Sequence, residues 1–318
     1  MIVWVIFISC ILLFLALDLG VFNKKAHVIK AKEAAIWTSI WISVALGFSG
    51  VIWWLFSQGL VANPTRITPD DAVLKYVTGY LIELSLSIDN VFVIAIIFKA
   101  FKVPDLFQHR VLFWGILGAI VFRALMIVFG VALINQFDWI VYVFGAFLIY
   151  TAYKMWKSDG TEFNPKKSFI FRKMRKVLPY TPFMDGDKFF IRRMGIRVAT
   201  PLFMALIIIE LTDILFALDS IPAILAITAD PFIVFSSNIL AILGLRSMYF
   251  LISRMLNKFR YINYSLVLIL AYVGLKLIFS HHIEIPEWLS LAVIGLSLVG
   301  GILASVVIPN KEHDSLED

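Results

Sequence analysis

Hydrophobic residues run along the chain in nine stretches of about twenty, at roughly residues 1–22, 34–57, 72–98, 110–133, 137–156, 199–228, 233–253, 262–280 and 287–308. A helix rises about 1.5 Å per residue, so some twenty apolar residues cross the ~30 Å hydrocarbon core of a bilayer. The pattern predicts an all-α polytopic membrane protein with about nine transmembrane helices and no soluble domain. The first stretch, "MIVWVIFISCILLFLALDLGVF", has neither a basic start nor a small-residue cleavage site, and is expected to be retained as a helix.

Composition agrees with this reading. Of 318 residues, 61% are hydrophobic and 16% charged, against about 25% charged in soluble domains. Mean hydropathy is +0.90. The net charge of +6 comes from basic residues between the apolar runs, a topology signal and not a nucleic-acid footprint. Lys24, Lys25, Lys30 and Lys32 follow the first run; Lys99, Lys102 and Arg110 surround the third connection; Arg254, Lys258 and Arg260 follow the seventh run. The connections "INQFD" and "TADP" contain no Lys or Arg. Because basic loops stay cytoplasmic, the N-terminus is expected outside and the tail "NKEHDSLED" inside. The longest connection, residues 154–198, holds 12 Lys and Arg against 4 Asp and Glu, and is expected in the cytoplasm. Its "KKSFIFRKMRKVLPY" suits either an interfacial helix on anionic headgroups or a solvated linker. The single cysteine, Cys10, excludes an intramolecular disulfide.

Two of the apolar runs carry acids. "TGYLIELSLSIDNVFVIAIIFKA", residues 78–100, contains Glu83, Asp89 and Asn90; "ALIIIELTDILFALDSIPAI", residues 205–224, contains Glu210, Asp213, Asp219 and Ser220. Ionisable groups inside a membrane mark function by default. Placing Asp89 on Asp219 puts Glu83 on Asp213. The order continues: "GILGAIVFRALM" with Arg123 answers "LAILGLRSMYF" with Arg246, and "IYTAYKMW" with Lys154 answers "LAYVGLKLI" with Lys276. Two three-helix repeats follow, at 72–156 and 199–280. An odd number of helices makes them inverted, the architecture of secondary transporters with a site at the repeat interface. Around them lie two N-terminal helices (1–71), the basic loop (157–198), and a last helix with its tail (281–318).

A six-residue step does not stack on a straight helix, so Glu83 and Asp89, like Asp213 and Asp219, should not point together. Pro222 cannot donate to the Leu218 carbonyl, and a break or kink in the sixth run near Asp219 is expected, with a weaker one at Asp89–Asn90. Hard oxygen donors without thiolate or nearby His suit Mg²⁺, Ca²⁺ or Mn²⁺. Metal ligation is therefore assigned to Glu83, Asp89, Asn90, Glu210, Asp213, Asp219 and Ser220, around one shared site. Crowded acids hold protons when no cation is present, which makes cation-for-proton exchange an expectation. Arg123, Arg246 and Lys276 are assigned charge balancing or gating. A competing reading makes them structural partners of the acids, but three cations cannot neutralise five. Lys154 reads as a residue snorkelling from the end of its span.

The stretches "GYLIELSLSIDNVFV", "LIIIELTDILFALDSIPAI" and "DPFIVFSSNILAILGLRSMYFL" resemble the TerC family, and "ALDLGVF" and "QFDWIVYVFGAFLIYTAYKMW" resemble its Alx branch. The resemblance covers nearly the whole chain. It implies a manganese exporter of the bacterial inner membrane, within a superfamily of LysE-like transporters, with the acidic motif at Glu83, Asp89, Glu210, Asp213 and Asp219. Mn²⁺ is then the transported substrate and partner. No resident cofactor, nucleic-acid partner or enzymatic activity is expected, and anionic lipid headgroups are expected at the 157–198 loop. Two alternatives belong to other classes: an intramembrane aspartyl protease, for which no GxGD motif is present, and a metal-responsive scaffold or sensor. His281 and His282 beside Glu284 and Glu287 read as an external loop, or as a metal-capture point.

Overall fold

The computed structural model describes residues 2–17, 31–63, 66–137, 139–157, 171, 173, 178–193, 195–253, 261–280 and 285–307. Nine helices dominate the described residues: α1 (Ile2–Leu17), α2 (Ala31–Ser57), α3 (Pro69–Phe101), α4 (Asp105–Gln136), α5 (Ile140–Lys157), α6 (Pro201–Leu225), α7 (Pro231–Ile252), α8 (Ile262–Phe279) and α9 (Glu287–Val307). Seven of them, α2 to α4 and α6 to α9, are long and apolar enough to cross a membrane. The described part of α1 is apolar but only 16 residues long. Helix α5 has 18 residues and gives up apolarity to three tyrosines, Thr151, Lys154 and Lys157. A short antiparallel hairpin, β1 (Phe190–Arg193) with β2 (Ile196–Ala199), departs from the all-α expectation inside the basic connection. Gly195, at φ +79°, provides its left-handed turn.

Local chemistry sets where the helices begin. Thr68–Pro69 opens α3, and the Thr68 hydroxyl accepts from the Asp71 amide. Thr200–Pro201 opens α6, but there the hydroxyl donates to the Lys188 and Phe189 carbonyls and ties the hairpin to the helix. Asp230–Pro231 opens α7, with the carboxylate accepting from the Phe232 and Ile233 amides at 3.0 Å each. Proline at a helix start costs no hydrogen bond, because that amide has no partner inside the helix.

The expected break in the second acidic run is absent. Helix α6 continues from Pro201 to Leu225 through Asp219 and Pro222, and α3 continues through Asp89–Asn90. Proline removes one backbone bond; Ala217, Ser220, Ile221, Pro222 and Ala223 are all buried, and packing holds the helix together across the defect.

Helix α3 sits at the centre, against α2, α6, α7 and α9. The closest helix pairs are α5 with α8, α3 with α7, α2 with α7, and α4 with α6. Exchanging α3 with α6, α4 with α7 and α5 with α8 turns the α3–α7 contact into α6–α4, and leaves α5–α8, α3–α6 and α4–α7 as they are. Helices α5 and α8 cross at two glycines: a Cβ on Gly145 would lie 2.9 Å from the Gly274 carbonyl oxygen, and a Cβ on Gly274 would lie 2.9 Å from that of Gly145. The helices expose apolar side chains and bury several polar ones within a mainly apolar interior. Leu125, Val128 and Phe129 on α4 are exposed, while Thr78, Glu83, Ser85, Ser87, Asn90, Arg123 and Asn238 are buried.

Candidate functional site

Among the described residues the acids fall into more than one arrangement. Among the described residues no three His, Cys, Asp or Glu side chains come together where they could hold a metal ion, so the single shared site expected from the sequence is replaced by separate arrangements.

Glu83 of α3 and Asp213 of α6 meet at Arg123 of α4. The guanidinium donates from Nη1 to Glu83 Oε1, from Nη2 to Asp213 Oδ1 at 2.9 Å, and from Nε to Asp213 Oδ2 at 3.3 Å. Asn238 of α7 closes the ring, its Nδ2 donating to Glu83 Oε2 at 2.8 Å and its Oδ1 accepting from Arg123 Nη1 at 3.4 Å. Glu83 is 0% and Arg123 1% exposed. The planar fork of arginine fits two carboxylates at once and keeps its charge in proteins. These acids are structural partners of Arg123. In this structure their oxygens accept from the nitrogens of Arg123 and Asn238 and not from a cation. Asn238, in "SSNILAILG", was not assigned a role from sequence; an amide in an apolar run was the available signal.

Asp89 and Asp219 share a different place. Helices α3, α5, α6 and α8 enclose a cavity of about 220 Å³ whose polar lining is Asp89, Asn90, Thr151, Lys154, Asp219 and Ser220. Thr151 Oγ1 donates to Asp219 Oδ1 at 2.9 Å and fixes that carboxylate. The buried Asn90 Oδ1 accepts no hydrogen bond among the described residues, while the Ser220 hydroxyl lies near Glu83 and links the cavity to the Arg123 cluster. Orphaned buried oxygens cost about 1–3 kcal/mol each unless a guest satisfies them. Two carboxylates, an amide oxygen and hydroxyls are the donor set of a hard cation. Asn90 joins the two arrangements, its Nδ2 lying 3.5 Å from Asp213 Oδ1. Of the seven assigned ligands, this cavity gathers Asp89, Asn90, Asp219 and Ser220, and adds Thr151, a residue that polar spacing alone did not single out.

Glu210 lies one turn before Asp213 on α6 and feels its charge. Its carboxylate lies where a Cβ on Gly118 of α4 would be, and its buried Oε2 has no hydrogen-bond partner among the described residues. Lys276 does not balance the acids: its Nζ bonds Glu287 Oε2 at 3.0 Å and Ser290 Oγ at 2.9 Å, and Glu287 also holds Lys75 at 3.1 Å. The start of α9 takes this lysine because Glu287 and Ser290 lie against the end of α8. Arg246 is buried on α7. Asp18, His281, His282 and Glu284 lie outside the described residues.

Comparison with known proteins adds kinship. The model of the family "Integral membrane protein TerC family" matches residues 68–313. An uncharacterised membrane protein of Myxococcus xanthus, STKORF319, is 47% identical over 98% of this chain and 95% of its own. A protein of Escherichia coli (strain K12) named "Putative membrane-bound redox modulator Alx" is 42% identical over 98% of this chain and 96% of its own. An uncharacterised membrane protein of Rickettsia bellii is 43% identical over 96% of this chain and 98% of its own. No solved structure matches the chain. With seven helices able to cross a membrane and a family match over most of its length, this chain is an integral membrane protein of the TerC family.

Proposed function

We propose that the chain is a secondary transporter that exports Mn²⁺ from the cytoplasm through the Asp89–Asp219 cavity. The observation that carries this reading is the cavity itself: two carboxylates from α3 and α6, with the unsatisfied Asn90 oxygen and the Ser220 hydroxyl in the lining, in a space large enough for an ion and water. Manganese among the hard cations follows from the family resemblance. Glu83 and Asp213 serve as scaffold, locked by Arg123. Protons returning to Asp89 and Asp219 as the cation leaves would complete an exchange cycle.

The helix contacts support two inverted repeats, α3–α5 and α6–α8, because they survive exchange of the two sets. The reciprocal Gly145–Gly274 approach fits a two-fold axis through the α5–α8 crossing. That axis pairs Gly145 with Gly274 and not Lys154 with Lys276, which accounts for the different surroundings of the two lysines. In this scheme α1 and α5 also span, giving nine crossings in a bacterial inner membrane, N-terminus outside and tail inside. Reporter fusions within the 157–198 connection should read as cytoplasmic. Arg192 and Arg197 pair across the hairpin beside exposed Phe190 and Ile196, a surface suited to anionic headgroups at that face.

A dithiol redox role gains nothing from this chain, whose single cysteine is Cys10. Purified protein in liposomes tests the proposal, with Mn²⁺ entry read from quenching of trapped calcein. Saturable flux, lost in Asp219→Asn, is expected; flux equal to protein-free liposomes would overturn the transporter reading and favour a protease or scaffold.

A further inference from the structure

We propose that the Lys154 ammonium is the resident counter-ion of the Asp89–Asp219 cavity, a tethered cation that a divalent ion displaces and a monovalent ion does not. The inference rests on the cavity being the cation site.

The acids fall into two pairs, and each pair has one basic side chain from the α4–α5 half of the bundle. Glu83 and Asp213 have Arg123, gripped through all three of its nitrogens and fully buried. Displacing it would break its hydrogen bonds to a buried and a part-buried carboxylate at once. Asp89 and Asp219 have only Lys154 in the lining of their cavity. Among the described residues Lys154 makes no hydrogen bond or ion pair, so nothing locks it. Its ammonium is a compact point charge on a four-carbon stem with several rotatable bonds, which can swing out of a cavity as a guanidinium fork cannot. Thr151, three residues earlier on the same helix face, does the opposite work by fixing Asp219 in place.

Charge arithmetic then gives selectivity. Two ionised carboxylates with the exposed Lys154 at the cavity lining, its charge felt by Asp219, leave one negative charge uncompensated; a dication neutralises both. Na⁺ or K⁺ would only replace one unit of charge by another, and would lose the advantage the lysine has of being attached. The mechanism needs no change in the protonation of Lys154, only its displacement.

The test uses the full chain in detergent, with Mn²⁺ binding read from loss of the free-ion electron paramagnetic resonance signal. Two charge-free variants of similar length, Lys154→Gln and Lys154→Met, are compared with Lys154→Arg. Both charge-free variants should bind Mn²⁺ about ten-fold more tightly than wild type, a shift of about 1.4 kcal/mol, since the ion no longer has a positive charge to displace. Replacing choline chloride by sodium chloride at constant ionic strength should weaken their binding, and leave wild type unchanged. Lys154→Arg should bind as wild type or more weakly. Wild-type binding with equal or weaker affinity in both charge-free variants overturns the inference alone. Tighter binding in Lys154→Arg as well would mark a packing effect and also overturn it. No Mn²⁺ binding by wild type would sink the cavity as a cation site, and this inference with it.

Discussion

Arg123 grips Asp213 with two nitrogens, Nη2 2.9 Å from Oδ1 and Nε 3.3 Å from Oδ2, at the point where α4 packs against α6. The same guanidinium reaches Glu83, so removing it leaves the buried Glu83 and the part-buried Asp213 without a cation. Breaking a buried ion pair by deleting one partner costs about 3–5 kcal/mol. Arg123→Gln should therefore lower the amount of folded protein in the membrane and its melting temperature in detergent. Lys in place of Arg should restore little, since one ammonium cannot reproduce the fork. Adding Glu83→Gln and Asp213→Asn to Arg123→Gln should recover stability, because no unpaired charge remains. A melting temperature for Arg123→Gln equal to wild type would refute the scaffold role.

Thr151 donates to Asp219 at 2.9 Å, and hydrogen bonds to charged groups contribute about 1.5–3 kcal/mol. Thr151→Val keeps the shape and removes the donor. Mn²⁺ flux in liposomes should need roughly ten-fold more Mn²⁺ for half-saturation, with melting temperature nearly unchanged. Unchanged half-saturation would show that Asp219 needs no such positioning.

The Gly145–Gly274 crossing makes a steric prediction. A methyl group at either position meets a carbonyl oxygen at 2.9 Å, and Ile278 or Ile149 besides. Overpacking of this kind costs about 1–3 kcal/mol. Gly145→Ala and Gly274→Ala should each lower the melting temperature, whereas Gly47→Ala and Gly50→Ala on α2, which meet nothing within 4 Å, should not. Equal melting of all four variants would dissociate the crossing from stability.

Much of this was legible in the residues. Apolar runs of the right length matched the nine helices of the described residues to within a few positions, because burying backbone polar groups in hydrocarbon leaves helix as the economical solution. Acids within two apolar runs pointed to α3 and α6, which line the proposed cation cavity. What sequence could not give was the partner of each acid. That depends on how α4 crosses α3 and α6, which brings Arg123 to Glu83 and Asp213 and leaves Asp89 and Asp219 to the cavity. The Tyr-x₃-Lys match set Lys276 opposite Lys154, but the start of α9 supplies Glu287 and Ser290 to Lys276 and decides its role. Pro222 suggested a break because its local cost is visible in a sequence, while the packing that absorbs it is not.

The central claim is that the cation sits between Asp89 and Asp219, and not among five converging acids. Anomalous scattering at the manganese absorption edge, from crystals of the full chain grown with Mn²⁺, locates the ion directly. A peak in the α3–α5–α6–α8 cavity is predicted, with carboxylate oxygens of Asp89 and Asp219 at about 2.2 Å, between the Mg²⁺ and Ca²⁺ ranges. It should vanish in Asp219→Asn. A peak bound instead by Glu83 and Asp213, with Arg123 swung away, or no peak within the bundle at saturating Mn²⁺, would contradict the account.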